Sequence, residues 1–586
     1  MSGRSRVLVL LVAMVCLTGC AAIPTQSQPK PIGAPTARQS AVSAPEPNND
    51  SDPLMLVRDF VNASANPDGD YAVAKAYLTD DAKKKWDTKA PPTVIERDFG
   101  TVPGTPTDSS SDQDKKRTVM LQGRNVGRLH PNDNAFVPMI GDLVTPIRVE
   151  KRDDGQWRIS EPPNGVYVTA TGFNTYYQRV TLYFYTPDFT VLVPDARYVV
   201  SPPTTSIPRR VTDLLVGGPS EGMRGAVVSA LGKTAERRNA VQEADDGALE
   251  VDLAKLGDLT PQTRKQIVAQ VVKSLAGVTS SRIRVKVDGV VIATEQTDWR
   301  PSDVQTGEAL VTPNADQRGL VVSGGQLRSL ADGTQIRGPA GTGEYNAVSA
   351  AQSLDGSELA VVSKPEQRGV RLRVGQVDQS LREVDLSAGS LTRPTWLLSG
   401  APDKPSDEVW TVADGTNVVR VSKTGAGTWT ANSVNATALA PLGGQITELR
   451  LSRDGTRVAA VVGGKLVVAA VVRNQDSSVA LRIPMTLQLA SLNSSVLSVD
   501  WLSQEVLVVT SSLPGQAISK VYVDGFKVER YGTSNLSLPV SGVAAAPSRP
   551  VVVADRNGLW TASDIAEVWR GAQFKAEPGA VVFYPG

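Results

Sequence analysis

Cysteine and histidine are the scarcest reactive residues of this 586-residue chain, which contains two cysteines and one histidine. A Cys₂His₂ or His₃ zinc site needs more ligands of these types than Cys16, Cys20 and His130 can supply, so the sequence excludes such sites. Charge of one sign is also lacking: 61 basic residues face 60 acidic ones. This balance argues against a nucleic-acid binder with a large basic excess.

Long hydrophobic runs are lacking as well, because no stretch after Cys20 reaches 18 consecutive apolar residues. The hydrophobic content of 41% is nevertheless that of folded proteins. At about 150 residues per domain, the length predicts several soluble globular domains.

The amino terminus has the three parts of a lipoprotein signal peptide. Arg4 and Arg6 precede an apolar run at residues 7–15, which is shorter than the roughly 20 residues that span a bilayer. The run closes on Leu17-Thr18-Gly19-Cys20, which resembles the lipobox of bacterial lipoproteins. The resemblance implies that residues 1–19 are removed by cleavage between Gly19 and Cys20. It also implies that Cys20 becomes an N-acylated S-diacylglycerol cysteine.

Two acyl chains would anchor the mature chain stably on the outer face of the plasma membrane. The alternatives are an ordinary secretory leader with an incidental cysteine, or a core segment with two buried thiols. After Cys20, residues 21–50 contain six prolines and no aromatic residue, so they predict a linker. Residues 20–50 would thus be a lipid-anchored tether that reaches roughly 30 Å as a coil and about 90 Å when extended.

Residues 51–170 predict a small α+β domain. Apolar residues recur at helical spacing over residues 54–61 and 71–78. Alternating runs at 117–122, 125–129, 145–150 and 156–160 follow, and Asp153-Asp154-Gly155 is typical of a hairpin turn.

Residues 178–295 predict one sheet with two helices packed on it. Strands are expected at 180–185, 191–193, 248–253 and 282–287, and a helix at 209–216. Thr260 as N-cap and Pro261 at the first position begin a second helix, which ends near Gly277.

Four motifs in this region together resemble the GerMN domain of sporulation and germination proteins. They are Leu182-Tyr-Phe-Tyr185, Leu192-Val-Pro-Asp-Ala-Arg197, Leu214-Leu-Val-Gly-Gly-Pro219 and Val285-Lys-Val-Asp-Gly289. The resemblance implies an α/β domain that makes protein contacts in extracytoplasmic assemblies and carries no catalytic set.

Residues 305–586 predict an all-β domain built from an imperfect repeat. Ser353-Leu-Asp-Gly-Ser-Glu-Leu-Ala-Val-Val362 matches Ser452-Arg-Asp-Gly-Thr-Arg-Val-Ala-Ala-Val461. With related segments at Ser399, Ser503 and Ser548, the spacings are 46, 53, 51 and 45 residues, which is the length of a four-stranded propeller blade. We therefore predict a β-propeller of five or six blades, with a β-sandwich array as the alternative. Trp396, Trp410, Trp501 and Trp560 recur within the blades, which favours core packing over a sugar-stacking surface.

The order of the parts, from the lipobox to the terminal Val581-Val-Phe-Tyr-Pro-Gly586, resembles the LpqB family of actinobacterial lipoproteins over essentially the full length. The resemblance implies a non-enzymatic envelope protein beside the MtrB sensor kinase of the MtrAB two-component system. Its partner would be the extracytoplasmic sensor domain of that kinase.

One motif requires an enzymatic test. Gly218-Pro219-Ser220-Glu221-Gly222 matches the G-x-S-x-G nucleophile elbow. A helix-like segment precedes it, however, where the elbow needs a strand, and His130 lies upstream in another domain and is expected to be an exposed turn histidine. We therefore predict no catalytic, metal-binding or cofactor-binding residues.

Two functional hypotheses follow from the sequence. The first is a lipid-anchored lipoprotein that binds an MtrB-like sensor kinase and modulates signalling linked to cell-wall growth and division. The second is a wall protein that binds or hydrolyses peptidoglycan or carbohydrate in the propeller channel. The sequence leaves the oligomeric state open.

Overall fold

The computed structural model describes residue 47 and residues 52–105, 115–139, 141–201, 203–365, 369–397, 405–487, 495–562 and 568–586. The lipobox with Gly19 and Cys20 and nearly all of the tether lie outside the described residues, so their acylation, cleavage and linker roles stay predictions. In the described part of the chain, no helix is long and apolar enough to cross a membrane.

The N-terminal domain packs short helices on a mostly antiparallel sheet. Its helices are α1 (Pro53–Ala63), α2 (Asp68–Lys75), α3 (Asp80–Lys85) and α4 (Ala170–Tyr176). Its strands are β1 (Thr93–Ile95), β2 (Gly100–Pro103), β3 (Lys116–Leu129), β4 (Phe136–Pro138), β5 (Asp142–Lys151), β6 (Trp157–Glu161) and β7 (Tyr167–Thr169). The sheet order is β6-β5-β3-β1-β7, with β2 and β4 also paired to β3.

The two helices expected near the start of this domain are present, and α1 begins where the Asp52 carboxylate accepts the Leu54 N–H at 2.7 Å. The two strands expected at 117–122 and 125–129 are instead one strand, β3. Its pairing with β5 runs through Gly123 without a break, so the ladder continues across the glycine. The expected hairpin turn is present, with Gly155 at a φ of +85°.

The GerMN-like domain contains two sheets and two helices of 11 and 15 residues. The strands are β8 (Tyr177–Tyr185), β9 (Leu192–Val200), β10 (Glu236–Arg237), β11 (Gln242–Glu243), β12 (Leu249–Ala254), β13 (Ile283–Val287), β14 (Val290–Val291) and β15 (Asp298–Trp299). The helices are α5 (Ile207–Gly217) and α6 (Pro261–Leu275). The predicted cap of α6 is present, because Thr260 Oγ1 accepts the Thr263 N–H at 3.1 Å.

The prediction of a single sheet for this domain was wrong. Strands β8 and β9 form a two-stranded sheet, and β10–β15 form a second sheet. On the free edge of β8, the Tyr183 N–H donates to Ser274 Oγ of α6 at 3.0 Å, so a helix lies where another strand would pair. An isolated bridge between Tyr185 and Val228 is also present on β8.

The C-terminal domain is a ring of six sheets in the described residues. Five of the sheets have four strands each. Blade 1 is β18 (Ala347–Gln352), β19 (Glu358–Ser363), β20 (Val370–Gln376) and β21 (Arg382–Ala388), and blade 2 is β22 (Thr395–Trp396), β23 (Glu408–Ala413), β24 (Asn417–Lys423) and β25 (Trp429–Ser433). Blade 3 is β26 (Ile446–Leu451), β27 (Arg457–Val462), β28 (Lys465–Arg473) and β29 (Val479–Thr486); blade 4 is β30 (Val496–Trp501), β31 (Val506–Ser511), β32 (Ile518–Tyr522) and β33 (Val528–Arg530); and blade 5 is β34 (Gly542–Ala544), β35 (Val551–Asp555), β36 (Gly558–Ala562) and β37 (Arg570–Gly571). The short helix α7 (Pro339–Thr342) precedes blade 1.

The closing blade joins the two ends of the domain. It contains β16 (Leu320–Ser323), β17 (Gln326–Ser329) and the last strand, β38 (Val581–Phe583), with Leu320 opposite Phe583. Strand β38 also contacts the first strands of blades 1 and 5, which closes the ring. The domain is therefore a propeller with six blades.

The repeat residues mark equivalent turns. Ser353, Ser452, Ser503 and Ser548 all lie between the first and second strands of their blades, whereas Ser399 lies outside the described residues. Ser353 Oγ accepts the Glu358 N–H at 2.9 Å, and Ser452 Oγ accepts the Arg457 N–H at 3.0 Å.

The blade tryptophans pack in the core, as their recurrence indicated, except that Trp560 is half-buried. Trp396 and Trp501 end the first strands of blades 2 and 4. Their indole N–H groups donate at 3.1 Å to the carbonyls of Ala351 and Arg450 in the preceding blades. Each of these tryptophans thus joins two blades.

Candidate binding site at the domain junction

The three domains meet at one turn of blade 4. Phe526, between β32 and β33, lies with its ring centroid 4.9 Å from that of Phe136 in the N-terminal domain. It also lies 5.2 Å from Phe173 of the same N-terminal domain and 5.6 Å from Tyr198 of the GerMN-like domain. These contacts have the spacing of favourable aromatic pairs, so the cluster fastens all three domains together.

An ion-pair network flanks this aromatic cluster. Arg179 of β8 donates to Asp524 Oδ2 at 2.8 Å and to Glu505 Oε1 at 2.7 Å, and Tyr198 Oη donates to Asp524 at 3.1 Å. Burial lowers the pKa of the Arg179 guanidinium, but the two carboxylates outweigh that effect and hold the pKa above its usual range. Arg179 therefore stays charged.

Hydrogen bonds to backbone groups extend the junction to blade 3. Arg457 Nη2 donates to the Pro194 carbonyl of β9 at 2.9 Å. In the N-terminal domain, Asp133 Oδ2 accepts the Glu221 N–H at 2.8 Å, and the Asn134 carbonyl accepts the Tyr198 N–H at 3.0 Å. The three domains thus share buried polar contacts as well as apolar ones.

Some of these residues, including Phe136, Arg457 and Asp524, line a cavity of about 530 Å³, which we call the junction cavity. This volume lies within the usual range for a small-molecule site. Its apolar walls come from all three domains and include Phe136, Val137, Pro138, Ala196, Met223, Val468, Ala470, Ile483, Pro484, Met485 and Val523. A site of this kind forms only when the domains are docked.

Most carboxylates of the cavity wall already have donors. Asp195 Oδ2 accepts from Arg197 Nη2 at 2.8 Å and from the Ser220 N–H at 2.8 Å. Glu221 Oε2 lies 2.7 Å from Arg224 Nη1. Their charges are therefore compensated from the protein side.

Arg457 is the exception among the charged groups of the wall. Its side chain is buried, its hydrogen bond goes to the neutral Pro194 carbonyl, and its Nε has no partner. No carboxylate of the described residues lies within 4.0 Å of it. A buried guanidinium without a counter-ion is the unusual electrostatic feature of this site.

The junction cavity also contains the residues that the sequence singled out for an enzymatic test. Ser220, His130 and Asp133 all line it, although they come from two domains. His130 is therefore half-buried at a domain junction rather than in the exposed turn that was expected.

These three residues do not form a catalytic triad. His130 Nδ1 lies 3.2 Å from Asp133 Oδ2 but has no aligned hydrogen-bond partner, and no hydrogen bond joins Ser220 to His130 in the described residues. Asp133 is engaged by backbone N–H groups, including that of Ala135 at 2.9 Å. The segment before Ser220 is helix α5, as the sequence indicated, so the strand of a nucleophile elbow is absent.

The propeller axis is crossed by a buried polar network. Arg393 donates to the Val582 carbonyl at 2.8 Å and to Asp500 at 3.3 Å, which links strand β38 of the closing blade with the first strand of blade 4. Arg453 donates to the carbonyls of Trp501 at 3.0 Å and Pro585 at 3.3 Å. The carboxyl-terminal residues are thereby fastened near one end of the axis.

Metal-ligand clusters are absent from the part of the chain that the structure describes: it has no group of three or more His, Cys, Asp or Glu side chains placed to hold an ion. The residues that sequence reasoning missed are Arg457 and Phe526. A signal for Arg457 existed, because it replaces Glu358 at the same position of the repeat, where Glu358 pairs with Lys423 at 3.1 Å.

Comparisons with known proteins agree with this architecture. Residues 46–174 match the family model of the lipoprotein LpqB N-terminal domain, 181–293 that of sporulation and spore germination, and 324–580 that of the lipoprotein LpqB beta-propeller domain.

Full-length relatives are found in several actinobacteria. Lipoprotein LpqB of Mycolicibacterium smegmatis is 32% identical, covering 99% of each chain, and that of Mycobacterium tuberculosis is 30% identical, also covering 99% of each. Among solved structures, the tandem GerMN domains of the Bacillus subtilis sporulation protein GerM match at 19% identity and a TM-score of 0.18, over 23% of this chain and 48% of that one. Identity over nearly the whole length of both chains shows that this chain belongs to the lipoprotein LpqB family.

Proposed function

We propose that the protein is a non-enzymatic lipoprotein on the extracytoplasmic face of the cell membrane that binds the extracytoplasmic domain of an MtrB-like sensor kinase and modulates its signalling. One observation carries the proposal: the three domains are joined by buried contacts at one junction into a composite body. A composite surface built from several domains suits recognition of another folded domain.

The tether supports the membrane side of this proposal. Acylated Cys20 would hold the chain at the membrane, and residues 21–50 would let the folded body reach about 30–90 Å from it. A partner domain anchored in the same membrane would then be within reach of the folded body.

The non-enzymatic side rests on the geometry of the candidate residues. Ser220 and His130 line one cavity without the hydrogen bonds that activate a serine nucleophile. The propeller axis is crossed by the Arg393 and Arg453 contacts, so no observation in the described residues favours a wall polymer bound there.

Isothermal titration of the unlipidated mature chain (residues 20–586, C20S) with the purified kinase extracytoplasmic domain tests the proposal. We expect saturable binding that is weakened in R179Q/F526A, which loosens the junction, and retained in R148Q, whose exposed ion pair lies away from it. Absence of binding by the unsubstituted chain, confirmed by crosslinking in membranes, would exclude the kinase as the partner.

A further inference from the structure

We propose that the junction cavity binds an amphiphilic anion, an aliphatic chain that ends in one carboxylate, and that Arg457 holds the carboxylate. This inference does not depend on the kinase partner. It concerns a small ligand held between the domains rather than a protein bound to their outer surface.

The size and walls of the cavity select the apolar part of the ligand. About 530 Å³ is enclosed mainly by aliphatic and aromatic side chains from three domains. Val468 and Ala470 of β28 form one wall and Phe136 and Met223 contribute to others. Such walls gain free energy by burying hydrocarbon, at about 25 cal/mol per Å².

The Arg457 guanidinium selects the charged part. The residue is 4% exposed, yet its side chain donates only to the Pro194 carbonyl and its Nε is unsatisfied. A ligand carboxylate would supply the missing counter-charge. Arginine and carboxylate form short charge-assisted pairs, which are often bidentate.

The carboxylates of the cavity wall do not favour a cationic ligand over an anionic one. Asp195 pairs with Arg197, Asp524 with Arg179, and Glu221 with Arg224. Asp133 accepts two backbone N–H groups and lies beside His130. A cationic ligand would compete with these donors, whereas an anion meets an unpaired cation.

The backbone of β29 is distorted where the cavity meets solvent. The β28–β29 ladder shifts register between Val468 and Ala470. Ile483 is 41% exposed at a φ of +49°, which is strained for a β-branched residue. The bulge therefore places an apolar side chain at the rim, where the chain of a ligand would enter.

Titration of the unlipidated mature chain (C20S) with dodecanoate, followed by calorimetry, tests the inference. Dodecanol and dodecylammonium serve as ligands of equal chain length without the carboxylate. We expect saturable binding of one dodecanoate per chain, at least tenfold tighter than either control. Equal binding of dodecanol, tighter binding of dodecylammonium, or no saturable binding of dodecanoate would overturn the inference.

Variants assign the two parts of the site. R457Q should weaken dodecanoate binding at least tenfold, and R482Q, an exposed arginine on β29 outside the cavity, should leave it unchanged. Because Arg457 also joins two domains, A470L provides a second test that leaves Arg457 in place. The larger side chain would fill the cavity and should weaken dodecanoate binding as much as R457Q does. Unchanged affinity in A470L or in folded R457Q would contradict the assignment.

Discussion

Arg179 of the GerMN-like domain and Asp524 of blade 4 form an ion pair across the domain boundary, with Nε 2.8 Å from Oδ2. Asp524 is nearly inaccessible and also accepts from Tyr198 Oη. The pair lies next to the Phe526 cluster, so one turn of the propeller supplies both the polar and the apolar contacts that hold the domains together.

Removal of Arg179 should therefore destabilise the junction. In R179Q, Asp524 and Glu505 lose their cationic partner while Asp524 stays buried, and we expect a loss of about 2 kcal/mol in the free energy of unfolding by urea. The control R148Q breaks a pair with Glu161 whose side chains are 54% and 62% exposed, and should cost less than about 1 kcal/mol. Equal losses in the two variants would show that the Arg179 contacts do not stabilise the fold.

Truncation of Phe526 should loosen the same junction. F526A removes three aromatic contacts from a half-buried ring, for an expected loss of roughly 1–3 kcal/mol and faster proteolysis between domains. Phe189, which is 37% exposed at the edge of Tyr185, is the matched control. A proteolysis rate for F526A no higher than that for F189A would contradict the role of the cluster.

Gly525 separates backbone strain from domain contact. Its φ is +75°, and an added Cβ would lie 2.6 Å from Pro138 Cγ of the N-terminal domain. Gly579 has a φ of +83° with open space around it. G525A should therefore lower the unfolding free energy by about 1–3 kcal/mol more than G579A. If both variants lose the same amount, the N-terminal domain is not packed against this turn.

Local features of the sequence were sufficient to predict much of the fold. Thr260 and Pro261 predicted the start of α6, and the serine repeat located the turns of four described blades. These signals depend on neighbouring residues alone. The closing blade could not be predicted in this way, because β16 and β38 are paired across the length of the domain.

The junction was likewise beyond the reach of local patterns. Phe136, Tyr198 and Phe526 come from three domains, and no spacing along the chain relates them. The repeat predicted where Arg457 lies in its blade, but not that its side chain would meet Pro194. Candidate-site residues of this kind become visible only when the domains are assembled.

The stability of the GerMN-like sheet should depend on acid through Arg284. Hydrogen bonds from Arg284 and from the Ala248 N–H hold the pKa of the Asp246 carboxyl below its usual value. At acidic pH the unfolded state therefore binds more protons than the folded state. The stabilisation that the ionised Asp246 carboxylate gives to the folded state is present above about pH 4 and is lost below it. Urea unfolding between about pH 6 and pH 3 should show a shallower loss in R284Q than in the unsubstituted chain or in R482Q. An identical slope in R284Q would contradict this linkage.

The rigidity of the three-domain body is the central claim, and the scarcity of cysteine makes it directly measurable. With C20S, residues 20–586 contain no cysteine. Pairs of cysteines for spin labels can therefore be introduced at Val144, Val290 and Val348, which are exposed residues of the three domains. Double electron–electron resonance should give one narrow distance distribution for every pair of labels. In F526A, the distributions should be broader, because every pair spans the junction. Broad distributions in the unsubstituted chain would contradict a single composite body.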